Sequence, residues 1–334
     1  MAGAGAGVTI IDIADALGIS KTAVSAALHG SGRVSEATRA RVLAQASAMG
    51  YVSNRAAQRL RGGRHGAIGL SVPHDVRELS FYMELAFGAA DAASEAGSDL
   101  LLLADAAPGR ARRPSIDGAI VVDPTPSAFP CLLERIGDAP LISVGEYVGA
   151  ERERVSAWIA ADHRSLIAEV LDALAEEGAS APALVALPAD REPAWAHDVA
   201  EEYGAWCAEH RQRPVLMRSA LDPTEAELIA TMRDAAAAGC DAIVWVAQGL
   251  VLRAIAVQSA RAEFGASGAP EAPHGARLLM ATMAAEPGAL GATGVDLRAR
   301  EYGRSAVRLL LGVLDAKVAP GTHEVHEARV IRPA

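Results

Sequence analysis

The fold of the first part of the chain is decided by residues 8–63, VTIIDIADALGISKTAVSAALHGSGRVSEATRARVLAQASAMGYVSNRAAQRLRGG. Thr9 stands three residues before Asp12, which is the spacing of a capping box at the start of a helix. Ser20 and Ser35 can cap the two helices that follow. Glycines stand where the three helices should end, at Gly18, Gly30 and Gly50. The spacing therefore predicts three short capped helices.

The apolar residues of this stretch recur at helical spacing and predict one small core. Ile13, Leu17 and Val24 lie on faces that can meet, and the small side chain of Ala14 lets the second helix approach the first. The third helix supplies Val42, Leu43 and Ala46. Two short helices joined by a tight turn and followed by a third are typical of a helix-turn-helix unit, which reads the major groove of DNA. A generic three-helix bundle is the alternative, because alanine and glycine are common throughout this chain.

The distribution of charge favours the DNA-binding interpretation. Residues 1–64 contain eight lysines and arginines against three acids, a net charge of +5. The whole chain contains 31 basic and 41 acidic residues, which leaves 23 against 38, or −15, for residues 65–334. A small basic head on an acidic body concentrates the attraction for phosphate in one place. We therefore expect duplex DNA as a partner of the head.

Beyond residue 66, short apolar runs alternate with longer amphipathic stretches. Strands are predicted at 67–72, 99–104, 119–123, 141–144, 183–187, 215–218, 242–246 and 278–282, with a final strand near 325–330. Helices are predicted at 80–96, 164–177, 195–210, 224–238, 249–264 and 298–317. This alternation is typical of parallel sheets that are covered by helices on both faces. The number of elements suits two lobes with a cleft between them.

No pattern in the sequence points to catalysis or to a bound cofactor. The motifs GxSxG, HExxH, the P-loop and the dinucleotide fingerprint do not occur. Three cysteines are scattered without metal-ligand spacing: Cys131, Cys207 and Cys240. Residues 1–7 lack the features of a signal peptide, and no apolar run reaches membrane length. We therefore expect a cytoplasmic protein that is not an enzyme and has no cofactor, metal site or membrane partner.

Residues 8–63 closely resemble the DNA-binding and hinge region of the LacI/GalR family of bacterial transcriptional regulators. The resemblance rests on VTIIDIADALGISKTAVSAALHGSG, RVSEATRARVLAQASAMGY and NRAAQRLR, and more weakly on GAIGLSVP, DGAIVVDP, PLISVGE and GVDLRAREYGRSAVRLLLGVL further along. It implies an α/β chain with an all-α helix-turn-helix head, a hinge helix, and a two-lobed, periplasmic-binding-protein-like body of doubly wound parallel sheets.

The implied domains are a helix-turn-helix domain at 1–53, a hinge helix and linker at 54–65, and an effector-binding and dimerisation domain at 66–334. Within the last domain, lobe 1 is expected at about 66–157 plus 286–318. Lobe 2 is expected at about 158–285 plus 319–334.

The resemblance also implies how the head meets DNA. A homodimer would place two recognition helices, residues 20–28, in successive major grooves of a near-palindromic operator. Lys21, Thr22 and Ala26 would face base edges, although Ala26 is too short for a polar base contact. The backbone would be positioned by Thr9, Ser20, Ser25, Ser35, Thr38, Tyr51 and Asn54, and His29 stands at a phosphate-contacting position.

The hinge helix, residues 54–61, would enter the minor groove. Asn54 would cap it, Arg55 lies in its first turn, and Ala57 would permit the close approach of two copies. Leu60 would wedge into the central base step and kink the duplex. Because a helix this short is marginal in water, we expect it to order only on DNA.

The resemblance implies a small-molecule effector in the cleft, but the groups that clamp sugar hydroxyls in sugar-binding relatives are missing. The Arg of that set is absent from DVAEEYGAW, and Ala247-Gln248 and Met283-Ala284-Ala285 replace its other members. A simple hexose is therefore a doubtful ligand. The candidate lining residues are Phe81, Tyr82, Asp123, Glu146, Trp195, Tyr203, Trp245 and Gln248. Two alternatives stay open: a regulator with an effector-free cleft, and a solute-binding protein that shares the two-lobed body.

Overall fold

The computed structural model describes residues 8–29, 34–51, 64–74, 79–103, 113–189, 192–263, 277–285 and 291–333. The chain divides into two compact units, Met1–Arg64 and His65–Ala334. The first unit contains the helices α1 (Ile10–Leu17), α2 (Lys21–His29) and α3 (Glu36–Ala48). We call this unit the head and the second unit the body.

The caps that the sequence predicts for the head are present. The Thr9 side chain accepts from the Asp12 backbone N–H while the Asp12 carboxylate accepts from the Thr9 N–H, which completes the capping box. Ser20 Oγ accepts from the Ala23 N–H at 3.2 Å, and Ser35 Oγ caps α3. Gly18 ends α1 with a φ of 65°, a conformation that costs glycine little.

The core of the head joins all three helices. Its buried residues are Ile13, Ala14, Val24, Ala27, Val42 and Ala46, with Leu17 and Leu28 packed against them. Leu43, which the sequence assigned to the apolar face of α3, is 50% exposed. The neighbouring Val42 takes the core position because the face of α3 toward α1 and α2 is narrow.

The body contains two six-stranded sheets. The first has the order β11-β5-β4-β3-β1-β2 and is parallel throughout. Its strands are β1 (Ala67–Ser71), β2 (Asp99–Leu102), β3 (Gly118–Val122), β4 (Leu141–Val144), β5 (Val155–Ala161) and β11 (Thr322–His326). Its helices are α4 (Ser80–Glu95), α5 (Phe129–Ile136) and α10 (Ala299–Leu314). We call this assembly lobe 1.

The second sheet has the order β12-β10-β9-β8-β6-β7, and β12 is antiparallel to β10. Its strands are β6 (Pro182–Ala186), β7 (Leu216–Arg218), β8 (Ala242–Trp245), β9 (Leu279–Thr282), β10 (Thr293–Asp296) and β12 (Arg329–Ile331). Its helices are α6 (His163–Glu176), α7 (Ala194–Glu209), α8 (Glu225–Ala237) and α9 (Leu250–Glu263). This is lobe 2. Both sheets are covered on both faces, as the alternation of strands and helices predicts.

Helices α4 and α10 of lobe 1 pack backbone against backbone. A Cβ atom on Gly88 would lie 1.8 Å from the carbonyl oxygen of Arg300, and one on Gly303 would lie 1.9 Å from that of Leu85. Only hydrogen atoms fit at these two contacts, so the pair of glycines sets the distance between the helices. The same helices carry residues of the cleft described below.

The lobe boundaries differ from those predicted. The break expected between 157 and 158 falls inside β5, which pairs along its length with β4 and β11 of lobe 1. Residues 286–318 were expected in lobe 1, but β10 pairs with β9 in lobe 2. Residues 319–334 were expected in lobe 2, but β11 belongs to lobe 1, and the strand expected near 325–330 is two strands, β11 and β12. The crossings between lobes follow β5, β10 and β11, in loops of one or two residues that leave no mark in composition.

Candidate functional site

The first candidate site is the exposed surface of the head. Lys21 and Thr22, in the first turn of α2, are exposed, while Val24 and Ala27 of the same helix are buried in the core. Ser25 and Ala26 are half-buried. The helix therefore turns one side inward and presents its amino-terminal turn outward, which is the geometry that places a recognition helix against base edges.

The other predicted DNA-contacting residues have mixed roles in the head. Thr9, Ser20 and Ser35 are exposed but serve as caps, and Thr38 shares a 2.8 Å hydrogen bond with Ser35. Tyr51 is half-buried against the core. The side chain of His29 lies outside the described residues, as do all of Asn54, Arg55, Ala57 and Leu60. DNA contact by each of these residues stays a prediction.

The second candidate site is a cavity of about 870 Å³ between the lobes of the body. Its wall includes residues that follow the carboxyl ends of strands in both sheets, the edge at which doubly wound sheets bind ligands. From lobe 1 these are Val72, Asp123 and Gly145, and from lobe 2 they are Leu187, Val246 and Met283. The cavity therefore lies where the strand pattern places a ligand site.

Asp123 is the central polar group of the cavity and is bonded by both lobes. One carboxylate oxygen, Oδ2, accepts from the Tyr82 hydroxyl of α4 at 2.7 Å. The other, Oδ1, accepts from Trp195 Nε1 of α7 at 2.8 Å. Burial raises the pKa of Asp123 to about 6, although both hydrogen bonds act to lower it. The backbone of Asp123 has a φ of 47°, a left-handed conformation that Asp and Asn tolerate better than most residues.

A second hydrogen bond also connects the lobes. The backbone N–H of Phe81, at the start of α4, donates to Gln248 Oε1 at 2.9 Å. Gln248 follows β8 and is buried. The Asp123–Trp195 and Phe81–Gln248 bonds therefore join the two walls of the cavity directly.

Aromatic rings surround these polar groups. Phe81 and Tyr82 meet edge to face at 5.0 Å, and Phe81 lies 6.4 Å from the Tyr302 ring. On the side of lobe 2, Trp195 stacks on His163 at 4.8 Å. Burial lowers the pKa of His163 to about 4, so this imidazole is neutral at pH 7.

Tyr302 also ties the cavity to the crossings between the lobes. Its hydroxyl accepts from the Ala161 N–H at 3.0 Å, at the end of β5, and its ring stacks on His326 at 3.8 Å. Arg298 and Glu327, at the other two crossings, form an ion pair at 2.6 Å. The three crossings are thus held beside one another and beside the cavity wall.

The structure places five of the predicted lining residues on the cavity wall: Phe81, Tyr82, Asp123, Trp195 and Gln248. Two others belong to the core of lobe 2. Trp245 is fully buried with Nε1 3.4 Å from the Met280 sulfur, and the Tyr203 hydroxyl donates to the Pro182 carbonyl at 2.9 Å. Glu146 is exposed and does not line the cavity.

His163 and Tyr302 are among the lining residues that were not predicted. The position of His163 in the sequence was a usable signal. It comes two residues after the last residue of β5, just past the Asp162 cap, and the segment after a parallel strand lies at the cleft. Tyr302 lies within a helix, and only the register of α10 against α4 brings it to the wall. Within the described part of the chain, no three His, Cys, Asp or Glu residues are grouped as metal ligands. None of the helices described there combines the length and apolar composition needed to cross a bilayer.

Comparison with known proteins identifies the head. Residues 9–54 match the family described as "Bacterial regulatory proteins, lacI family". The chain is 46% identical over 98 residues to the maltose regulon regulatory protein MalI of Escherichia coli strain K12. That match covers 29% of this chain and 28% of MalI. The curated relatives are transcriptional regulators, and the matched segment spans less than a third of the MalI length.

Solved structures match the whole chain in fold. A lac repressor dimer bound to operator and the anti-inducer ONPF aligns with a TM-score of 0.73 at 17% identity, covering 98% of both chains. A complex of the transcriptional regulator CelR with cellobiose aligns with a TM-score of 0.64 at 22% identity, covering 97% of this chain and 98% of that one. At these identities the matches establish the fold alone, a helical head and a body of two parallel-sheet lobes.

Proposed function

We propose that the chain, whose residues 9–54 match the lacI family of bacterial regulatory proteins, is a transcriptional regulator of the LacI/GalR family that binds a near-palindromic operator as a homodimer and represses transcription. The observation that carries the proposal is the head itself. Its α2 exposes Lys21 and Thr22 while Val24 and Ala27 secure the helix to the core. A net charge of +5 on residues 1–64 supplies the attraction to phosphate. Such a regulator acts on chromosomal DNA, hence in the cytoplasm.

We propose further that a small molecule in the cavity modulates operator affinity. The cavity is large enough for a ligand, and both of its walls contribute polar groups. A ligand that contacts both lobes would favour one arrangement of the body over another, and coupling of that equilibrium to the head would change DNA affinity. The sugar complex of CelR makes a soluble metabolite a reasonable class to consider.

The homodimer is supported by apolar side chains that stay exposed on lobe 1. Met83 and Phe87 of α4 are 43% and 47% exposed, and Leu101 and Leu102 of the edge strand β2 are 42% and 54% exposed. A second copy that covered them would bury surface that is otherwise costly in water. Light scattering of the purified chain tests this proposal, with a monomer at micromolar concentration as the contrary result.

The experiment that tests operator recognition is the selection of bound genomic fragments by the purified full-length chain at about 0.15 M salt. We expect enrichment of fragments that share a near-palindrome, protected symmetrically in footprinting. A Lys21→Ala variant should weaken the enrichment, whereas Lys317→Ala, at an exposed lysine of the body, should leave it unchanged. Equal retention of palindromic and bulk fragments by the unmodified chain would contradict the proposal.

A second candidate is a regulator whose cleft needs no effector. It is favoured by the Asp123–Trp195 and Phe81–Gln248 bonds, which join the lobes with protein groups alone. The two candidates differ in one measurement, the change of operator affinity on adding metabolites. The head argues against a solute-binding protein, because such a protein has no use for a basic DNA-binding unit.

A further inference from the structure

The cavity contains a half-buried negative charge, Asp123, that has no cationic partner among the described residues. Asp123 receives hydrogen bonds from a phenol and an indole, both neutral. No lysine or arginine of the described chain forms an ion pair with it. A carboxylate has about four lone-pair positions, so two remain after these bonds. Asp123 is partly accessible from the cavity and can still accept from a ligand.

The wall around Asp123 is aromatic. Tyr82 and Trp195 flank the carboxylate directly, and Phe81 and Tyr302 continue the wall on the side of lobe 1. The faces of such rings attract cations, and the attraction grows when water is excluded. A carboxylate among aromatic rings is therefore suited to a compact organic cation.

The same groups are poorly suited to a neutral polyol. Recognition of several hydroxyls needs several free donors and acceptors, but Gln248 Oε1 already accepts from the Phe81 N–H. His163 Nδ1 is 3.1 Å from the Ala161 carbonyl, which occupies that ring nitrogen as well. Gln248 Oε1 and His163 Nδ1 are thus occupied within the protein, whereas the Asp123 carboxylate keeps both open lone-pair positions and a charge that no cation of the described chain balances.

The positive groups of the cavity wall are placed elsewhere. Arg113 lies beside Gly137, at the carboxyl end of α5, with its Nη1 3.1 Å from the position a Cβ of Gly137 would take. Arg135 is in the last turn of the same helix. Both arginines therefore lie at the carboxyl end of α5, whereas Asp123 precedes its amino-terminal end in the chain.

We propose that the cavity binds an organic ammonium cation, with Asp123 as its counter-ion and the rings of Tyr82, Trp195 and Phe81 around it. This inference rests on the proposed function in one respect, that the cavity is the effector site of the regulator. It adds the chemical class of the effector. A quaternary ammonium would use the rings and the charge, and a primary ammonium would in addition donate to Asp123.

Choline and its neutral isostere 3,3-dimethyl-1-butanol test the proposal on the full-length chain. We expect choline chloride at millimolar concentration to raise the melting temperature above that in sodium chloride of equal ionic strength, and the isostere to leave it unchanged. Putrescine serves as the primary ammonium probe and cellobiose as the neutral sugar probe. Titration calorimetry then measures the dissociation constant of whichever cation stabilises the chain.

A pair of variants assigns the effect to Asp123. Asp123→Asn removes the charge with a residue that tolerates the left-handed backbone, and should weaken binding of the cation at least tenfold. Glu146→Gln makes the same change of charge at an exposed residue outside the cavity wall and should leave the affinity unchanged. If Asp123→Asn does not fold, the comparison of choline with its isostere on the unmodified chain still decides.

The outcomes separate this inference from the proposed function. Equal binding of choline and the isostere, or binding of neither ammonium probe, overturns the inference. Stabilisation by cellobiose alone overturns it as well but keeps an effector site. Binding of choline without any change in operator affinity supports the ammonium site and contradicts its role as an effector site.

Discussion

Replacing Gly303 by alanine should destabilise the body, although alanine favours helices. The added Cβ would lie 1.9 Å from the Leu85 carbonyl oxygen and 2.8 Å from the Ala89 nitrogen, both backbone atoms that cannot rotate away. Normal van der Waals separation requires a local parting of α4 and α10 by about 1.5 Å, and overpacking of this kind costs about 1–3 kcal/mol or more. The higher helix propensity of alanine offsets about 1 kcal/mol of this cost. Because the Cβ meets two fixed backbone atoms, we take the cost at about 3 kcal/mol and expect a net loss of about 2 kcal/mol.

Gly204→Ala provides the matched control. Gly204 also lies inside a helix, α7, but a Cβ there would meet no atom within 4 Å. The propensity term then acts alone and should stabilise the chain by about 1 kcal/mol. The two substitutions therefore make the same chemical change with opposite expected signs.

Tryptophan fluorescence during heating measures both effects in the body alone, because all four tryptophans lie beyond residue 65. At about 2–4 °C per kcal/mol, Gly303→Ala should lower the melting temperature by about 4–8 °C, and Gly204→Ala should raise it by about 2–4 °C. An unchanged or raised melting temperature for Gly303→Ala would refute the reasoning, since it would mean that α4 and α10 do not meet backbone to backbone.

Three further predictions concern the head and the cavity. Lys21→Ala should cost about 1–3 kcal/mol of operator binding and relax preference at one base pair, measured by titration against operator variants; a uniform loss would mark a phosphate contact. Thr9→Ala removes the capping box and should lower amide protection in α1 by about 1 kcal/mol in hydrogen exchange; unaltered protection would contradict the role of the cap. Because the pKa of Asp123 is raised to about 6 in the folded state, the free energy of unfolding of the unmodified chain should fall as pH rises from about 4 through 6. Asp123→Asn lacks this titration, so its stability relative to the unmodified chain should increase over that range by up to about 3 kcal/mol. A difference in stability that does not change with pH would be inconsistent with the prediction.

The head could be predicted from sequence because its signals are local. A cap such as Thr9 and a helix end such as Gly18 act over three or four residues, and the short helices leave few ways to bury Ile13 and Val24 together. The exposure of Leu43 was missed because two adjacent apolar residues on α3 cannot be told apart by periodicity alone. Which of them faces the core depends on how the other two helices pack.

The sequence predicted where the cavity lies but only some of the residues that line it. Asp123 and Gln248 lie in segments that follow strands, and Trp195 lies in the first turn of α7, so all three are near the carboxyl edge of a sheet. Trp245 is still within β8, and Tyr203 is in the middle of α7, so both face the core. In a sheet buried on both faces the apolar run shows no alternation, and a difference of one to three residues separates wall from core.

The crossings between the lobes could not be predicted, because nothing local marks them. β5 and β11 pair with each other across more than 150 residues of chain, and the turn from β11 to β12 changes lobe within two residues. Such pairing is decided by the closure of whole sheets. Tyr302 belongs to the same class, because its place on the cavity wall follows from the backbone contact of Gly303 with α4.

If the cavity binds the proposed cation, the position of Asp123 would couple occupancy of the cavity to the arrangement of the lobes. A charge held in an apolar wall costs folding free energy, and the donors that offset this cost come from opposite lobes, Tyr82 from lobe 1 and Trp195 from lobe 2. Opening the cleft would break the hydrogen bond from Trp195 to Asp123, but it would also let water solvate the carboxylate. These two effects oppose each other, so Asp123 alone would stabilise the closed arrangement only weakly. A cation beside Asp123 changes this balance, because its attraction to the carboxylate and to the rings of both lobes exists only while they face each other. The ligand would therefore select the closed arrangement by its differential affinity for it, which is the condition any effector has to meet.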